Sequence, residues 1–240
     1  MAEHKLRQSQ RRSSGVESND HWYGVYPALV TAVGDPEGQG RVKVTLPWAP
    51  DAEGHGYEAW ARLSTLMAGK DQGTWFLPDP GSEVLVAFEG GDPRRPYVLG
   101  GLWNGQDAPP SGADGPANNV KLIRSRSGIQ ITLDDQQGRE RFTVEMPGGQ
   151  KLELISYGDK GPGAVLITDN IGNTIHLGFS GIEITAASDV KLVASRVNLS
   201  AGSVVVDCGE ARFSGVVKCD TLITNSVISN SYTPGVGNVW

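Results

Sequence analysis

Residues 76–105 read FLPDPGSEVLVAFEGGDPRRPYVLGGLWNG, and their reading decides the fold. Two strand-like runs, EVLVAF and PYVLGGLW, flank a turn dense in Gly, Pro and Asp. Pro78 and Pro80 set φ ahead of the first run, and Gly81 supplies a free turn. In GGDPRRP, Asp92 can bond its own backbone and Pro93 pre-sets the next turn. Nothing in the stretch resembles a catalytic group. It reads as two short strands whose ends are fixed hard.

Working outward, the same rhythm fills residues 21–103. YGVYPALVTAV forms a first strand, closed by the turn signal GDPEGQG. RVKVTLPW alternates strictly, with Val42, Val44 and Leu46 on one face and Arg41, Lys43 and Thr45 on the other. YEAWARLST and TWFLP follow, and no long amphipathic helix interrupts them. Five or six short strands in so short a span predict a small closed barrel, because closure removes exposed sheet edges. Residues 1–20 read as a flexible polar arm, and 104–119, NGQDAPPSGADGPANN, as a linker.

From residue 120 to 240 the rhythm changes. Ile129, Ile131 and Leu133 alternate, as do Phe142, Val144 and Met146, then Ile175, Leu177 and Phe179, then Ile182, Ile184 and Ala186. Written in sevens from Glu183, the chain reads EITAASD, VKLVASR, VNLSAGS, VVVDCGE, ARFSGVV. Val190, Val197, Val204 and Ala211 share a column, and Leu192, Leu199, Val206 and Phe213 share another. A short strand and a corner at fixed period predict a β-helix. Two forms fit: a single-chain coil, or a prism of three intertwined chains. The small and β-branched inward residues suit the thinner prism.

The chain of 240 residues has a net charge of −6, which argues against a polyanion partner. Residues 22–103 hold more acidic than basic side chains. The basic residues of the arm (Lys5, Arg7, Arg11, Arg12) are diluted by Glu3, Glu17 and Asp20. No nucleic acid is expected, and Trp48, Trp60, Trp75 and Trp103 read as core and interface aromatics rather than base-stacking platforms. The start carries no apolar run of signal-peptide type, and no stretch is long and apolar enough to span a bilayer as a helix. Cytoplasmic synthesis is expected. Cys208 and Cys219 read as buried free thiols.

Catalytic and metal chemistry find little support. His4, His21, His55 and His176 are scattered, without metal-ligand spacing. His176 has the outward parity of its strand. DDQQGRE, around Asp134 and Asp135, lacks the ligand rhythm of a calcium loop and reads as a polar turn. No enzyme activity and no cofactor are expected. A single-chain β-helix that cleaves glycans through paired carboxylates is the rival reading, with a barrel-type binding module as a second rival.

The segment from Gly40 to Gly105 resembles the barrel of phage baseplate spike proteins, shared by the valine-glycine repeat spikes of type VI secretion and the spikes of other contractile injection systems. Its motif residues are Gly40, Arg41, Trp60, Pro78, Gly81, Glu83, Asp92, Pro93 and Pro96, together with Leu46-Pro47-Trp48 and Val84, Val86, Phe88 and Val98. The resemblance implies an oligonucleotide/oligosaccharide-type (OB) barrel followed by an intertwined trimeric β-helix, in a phage tail, a tailocin or an extracellular injection particle. It also implies a homotrimer, and the alternating and seven-residue columns place Ile182, Ile184, Val190, Leu192, Val197, Leu199, Val204 and Val206 in its core. A separate hub protein is expected at the barrel end. A separate PAAR-type tip protein, named for its proline-alanine-alanine-arginine repeat, is expected on a platform of Thr233, Pro234, Val236, Val239 and Trp240. Contact with a target membrane would be transient.

Overall fold

The computed structural model describes residues 21–50, 54–110 and 117–231. The expected arm at 1–20 and the expected tip platform, Thr233 to Trp240, lie outside the described residues. The described chain is all-β apart from single 3-10 turns.

The closed barrel is present. Its strands are β1 (Val25–Ala32), β2 (Val42–Pro50), β3 (Gly56–Leu63), β6 (Glu83–Phe88) and β7 (Pro96–Gly101). They close in the order β1-β2-β3-β7-β6. Every pairing is antiparallel except β3 with β7. Two-residue strands β4 (Ala68–Gly69) and β5 (Gln72–Gly73) make a small hairpin between β3 and β6. The alternation in β2 sorts as the sequence requires: Val42, Val44 and Leu46 have no exposed surface. They meet Ala28, Val30, Ala61, Val84, Val86 and Val98 inside the barrel. One end is closed by aromatic rings: Trp22 lies 5.1–5.3 Å from Trp48, Tyr57 and Phe88, and Tyr26 stacks on Trp48 at 4.6 Å.

Residues 120–185 depart from the expected β-helix. They form one seven-stranded sheet, β8 (Val120–Arg124), β9 (Gln130–Asp134), β10 (Arg141–Glu145), β11 (Lys151–Ile155), β12 (Ala164–Thr168), β13 (Thr174–Gly178) and β14 (Gly181–Thr185), each strand paired to the next. All pairings are antiparallel. Short connections explain the meander: a two-residue turn such as Phe179-Ser180 can only return the chain beside itself.

Directly paired residues share a face, so the register sorts this sheet into two. One face carries Ile123, Ile131, Leu133, Phe142, Val144, Leu152, Leu154, Val165, Ile167, Ile175, Leu177, Ile182 and Ile184. Apart from Lys121 at its β8 edge it is wholly apolar, and none of these residues is buried. The other face carries an ionic ladder. Arg141 bonds Asp134 at 3.3 Å and faces Glu153 at 3.8 Å, and Lys151 closes on Glu153 at 2.9 Å. His176 lies on this polar face opposite Glu183. The polar turn expected at Asp134-Asp135 is formed, with Gln136 N–H donating to Asp134 and Lys121 pairing with Asp135.

Residues from Ser188 onward make a second compact unit. Its described part has no paired strands, and every residue from 187 to 231 is exposed. The backbone bends at Ser188, Ser195, Gly202 and Gly209, at the expected interval of seven. The fifth seven, ARFSGVV, does not continue it. Later bends fall at Ser214-Gly215, Asp220, Asn225 and Asn230, an interval of five. Cys208 and Cys219 are free but exposed rather than buried, since this unit has no cover of its own.

Candidate interaction surfaces

The barrel motif residues fall into three anchored loops. The β1–β2 connection is organised by Asp35, whose side chain is 4% exposed. Its carboxylate accepts the backbone N–H groups of Glu37, Gln39 and Arg41. The Arg41 guanidinium grips it at 2.7 Å, lies 3.2 Å from Glu37 and sits over the Trp60 ring. This guanidinium holds the Asp35 carboxyl well below the usual carboxylate range, with the backbone donors adding to the effect. Gly40 has φ +72°, and a Cβ there would stand 2.8 Å from the Trp75 ring, so only glycine fits. Asp35 and Trp75 are thus the working partners of Gly40-Arg41. GDPEGQG is legible as a turn, but nothing in it announces the ion pair.

The second loop holds Pro78, Gly81 and Glu83. Gly81 N–H donates to Val30 O at 2.8 Å, tying the turn to β1. Glu83 accepts the Asn104 amide at 2.8 Å, so residues 104–107 fold as a capped turn against the barrel. In the third loop, Asp92 accepts both the backbone and side chain of Arg94, which lowers its pKa to about 2. Pro93 O accepts the Tyr57 hydroxyl, and buried Pro96 pairs with Phe88. All three loops fix backbone. None gathers groups for chemistry, and among the described residues no set of His, Cys, Asp and Glu is placed to hold a metal.

The aromatics divide. Trp48 packs in the end cluster and donates to Pro27 O, and Trp60 lies under Arg41. Trp75 and Trp103 are exposed at 72% and 70%. Leu66 and Met67 before β4, and Phe76 beside Trp75 after β5, are exposed as well. The proposed core residues also divide. Ile182 and Ile184 belong to the apolar sheet face, while Val190, Leu192, Val197, Leu199, Val204 and Val206 lie in the second unit, each more than half exposed.

The Asp35 anchor makes a pH prediction. A carboxyl depressed in the folded state contributes stability above its ordinary pKa of 3.8, and that stability is lost as pH falls through and below it. The barrel's melting temperature, followed by tryptophan fluorescence, is expected to drop between about pH 5 and pH 2.5. Asp35→Asn is expected to lower it already at pH 5 and to flatten the acid slope. An unchanged slope in the variant would remove Asp35 as an anchor.

The closed five-stranded barrel, with this strand order and its Gly-Arg, Pro-Gly and Asp-Pro corners, is OB-like. Residues 26–103 match the family described as type VI secretion system/phage-baseplate injector OB domain. About half of the chain or less is similar to spike proteins of the baseplate and type VI secretion class. The chain is 31% identical over 123 residues to the type VI secretion system spike protein VgrG1b of Pseudomonas aeruginosa, covering 48% of this chain and 17% of that protein. It is 37% identical over 94 residues to VgrG2a of the same organism, 35% of this chain and 11% of the relative. The actin cross-linking toxin VgrG1 of Vibrio cholerae is 30% identical over 130 residues, 48% of this chain and 12% of that protein. The matches thus span less than a fifth of these relatives.

Proposed function

We propose that this chain is the non-enzymatic central spike of a contractile injection machine, a homotrimer that a contracting sheath drives through a target envelope. One observation carries the reading. A seven-strand face of Ile, Leu, Val and Phe, followed by a segment exposed from 187 to 231, has no cover among the described residues. An apolar surface so extended marks an interface. Two further copies of the same chain supply identical faces in a threefold arrangement, in which the three sheets of residues 120–185 pack apolar face to apolar face and the segment from Ser188 intertwines around Val190, Leu192, Val197, Leu199, Val204 and Val206.

Kinship with spike proteins supports the role, and the exposed Leu66, Met67, Trp75 and Phe76 suit a separate hub at the barrel. A PAAR-type tip protein would seat on Thr233 to Trp240. Such a spike is made in the cytoplasm and leaves as part of a phage tail or injection particle.

The rival glycan-cleaving reading requires one carboxyl raised in pKa beside an ionised one. At the groove at the end of β9 and β10 no carboxyl of this kind is presented. Glu140 there is pushed down by backbone N–H donors, opposite to what a general acid needs. Light scattering is expected to give three times 25.5 kDa, with the oligomer surviving unheated SDS. A stable monomer would overturn the spike reading in favour of a single-chain fold.

A further inference from the structure

We propose that the turn from Asp169 to Asn173 is a knob whose Ile171 seats in the groove at the opposite end of the sheet of a neighbouring copy. The proposal rests on the spike reading and gives its trimer a direction: each copy is held head to tail by the next, and a threefold rotation closes the ring. The knob is built in advance. Asp169 accepts the backbone N–H groups of Ile171 and Asn173, both at 2.9 Å, and the Asn173 side-chain amide as well. Asn173 in turn accepts the N–H of Ala187 at 2.8 Å, which ties the turn to the chain leaving β14. Ile171 is held out from this polar turn, spelled DNIGN, 67% exposed. One exposed isoleucine is ordinary on a surface. What gives this one meaning is the groove at its own height.

The groove, of about 700 Å³, lies at the other end of the strands. Leu154, Leu177 and Ile182 of the apolar face line it, and Gly163, Gly178 and Gly181 leave part of its wall without side chains. The knob joins Thr168 to Thr174, whereas the groove is bordered by Ala164 and Gly178, the far ends of the same β12 and β13. Five residues of strand, about 17 Å, separate the two. Ile171 cannot reach the groove of its own sheet, so a second copy has to supply the knob.

The heights agree. Turns of a meander alternate between its two ends, so those after β8, β10 and β12 lie at the knob end and those after β9, β11 and β13 at the groove end. A copy related by pure rotation about an axis along the stack of strands stays at the same height. Each of its turns then faces the gap between two turns of its neighbour, one strand or about 4.8 Å away. The knob faces the gap between the β11–β12 and β13–β14 turns, which Gly163 borders on one side and Gly178 and Gly181 on the other. Turn lengths leave a recess there. At the knob end, 125–129, 146–150 and 169–173 are alike in length, but at the groove end the short Phe179-Ser180 turn stands beside the long 156–163 loop. Charge agrees as well. Arg124 enters the turn after β8 at the knob end, and Glu140 closes the turn after β9 at the groove end. Neither is in an ion pair among the described residues, and rotation brings these two ends together.

The test uses the purified full chain carrying Cys208→Ser/Cys219→Ser, its size checked by light scattering. Adding Ile171→Cys and Ala164→Cys together, with mild oxidation, is expected to give a covalent trimer in heated SDS without reductant. The length of β12 keeps the two positions apart within a chain, so only a bond between copies can form. Each single variant is expected to run as a monomer. Cross-linking by Ile171→Cys alone would show that the knobs meet one another, which overturns the proposal. A double variant that assembles but does not cross-link overturns it too. In the otherwise unaltered chain, Ile171→Asp is expected to abolish the trimer that resists unheated SDS and to leave the melting of the barrel unchanged, while Ile171→Leu keeps both. An Ile171→Asp trimer as resistant as wild type overturns the knob and leaves the spike reading standing. A wild type that stays monomeric overturns the spike reading first, and this proposal with it.

Discussion

Leu199→Asp is expected to abolish assembly. In one chain Leu199 is 77% exposed, so the substitution costs the isolated chain almost nothing. In the prism it sits in the column of Leu192 and Val206, and a threefold assembly brings three carboxylates to one level of a dry core. Unpaired charge in such a place costs several kcal/mol per ion, with the mutual repulsion of three added. Light scattering and SDS resistance should therefore move from trimer to monomer, while the acid-sensitive melting of the barrel stays in place. Lys191→Asp, one residue from Leu192 with opposite parity, is the matched control and is expected to leave assembly intact. A heat-resistant trimer carrying Leu199→Asp would show that the column faces water.

The barrel is legible in the sequence because burial and period coincide there. Val42, Val44 and Leu46 alternate with charged or hydroxylic neighbours, and the structure leaves them no exposed surface. Its corners are legible as turns through Gly, Pro and Asp. What the corners hold is not, because the Asp35–Arg41 pair depends on how one loop folds over itself in space.

Further on, the alternation of Phe142 with Val144 and of Ile182 with Ile184 marks a two-faced strand correctly. It is silent on whether successive strands pair as hairpins or climb as coils, since both put every second residue on one face. The connections carry that information. Glu145 returns to Lys151 through Pro147-Gly148-Gly149, and Gly178 returns to Gly181 through two residues. The second period hides for a different reason. Phe213 falls in the column of Leu199 and Val206 although the bend interval has already begun to shorten, and only Lys218 and Asp220 break the pattern.

The sheet offers the other large effect, through a pair of substitutions on opposite faces. Leu154 pairs with Phe142 and Val165 in the middle of the apolar face and is 43% exposed in the single chain. Leu154→Asp is expected to prevent assembly, because the face that two further copies would cover then carries an unpaired carboxylate. Thr168 lies on the polar face opposite Lys151. Thr168→Asp sets a carboxylate beside an ammonium group already shared with Glu153, and cross-strand pairs of this kind contribute roughly 0.2–1 kcal/mol. It is expected to leave the trimer and its melting within a few degrees of wild type. The two variants carry the same charge on the same sheet, so net charge cannot explain a difference between them. If both assemble, the apolar face is not the interface. If both fail, the ionic ladder is also covered in the assembly, and the prism must enclose both faces of the sheet. Loss with Leu154→Asp alone places the threefold axis on the side of Ile131, Leu154 and Ile175.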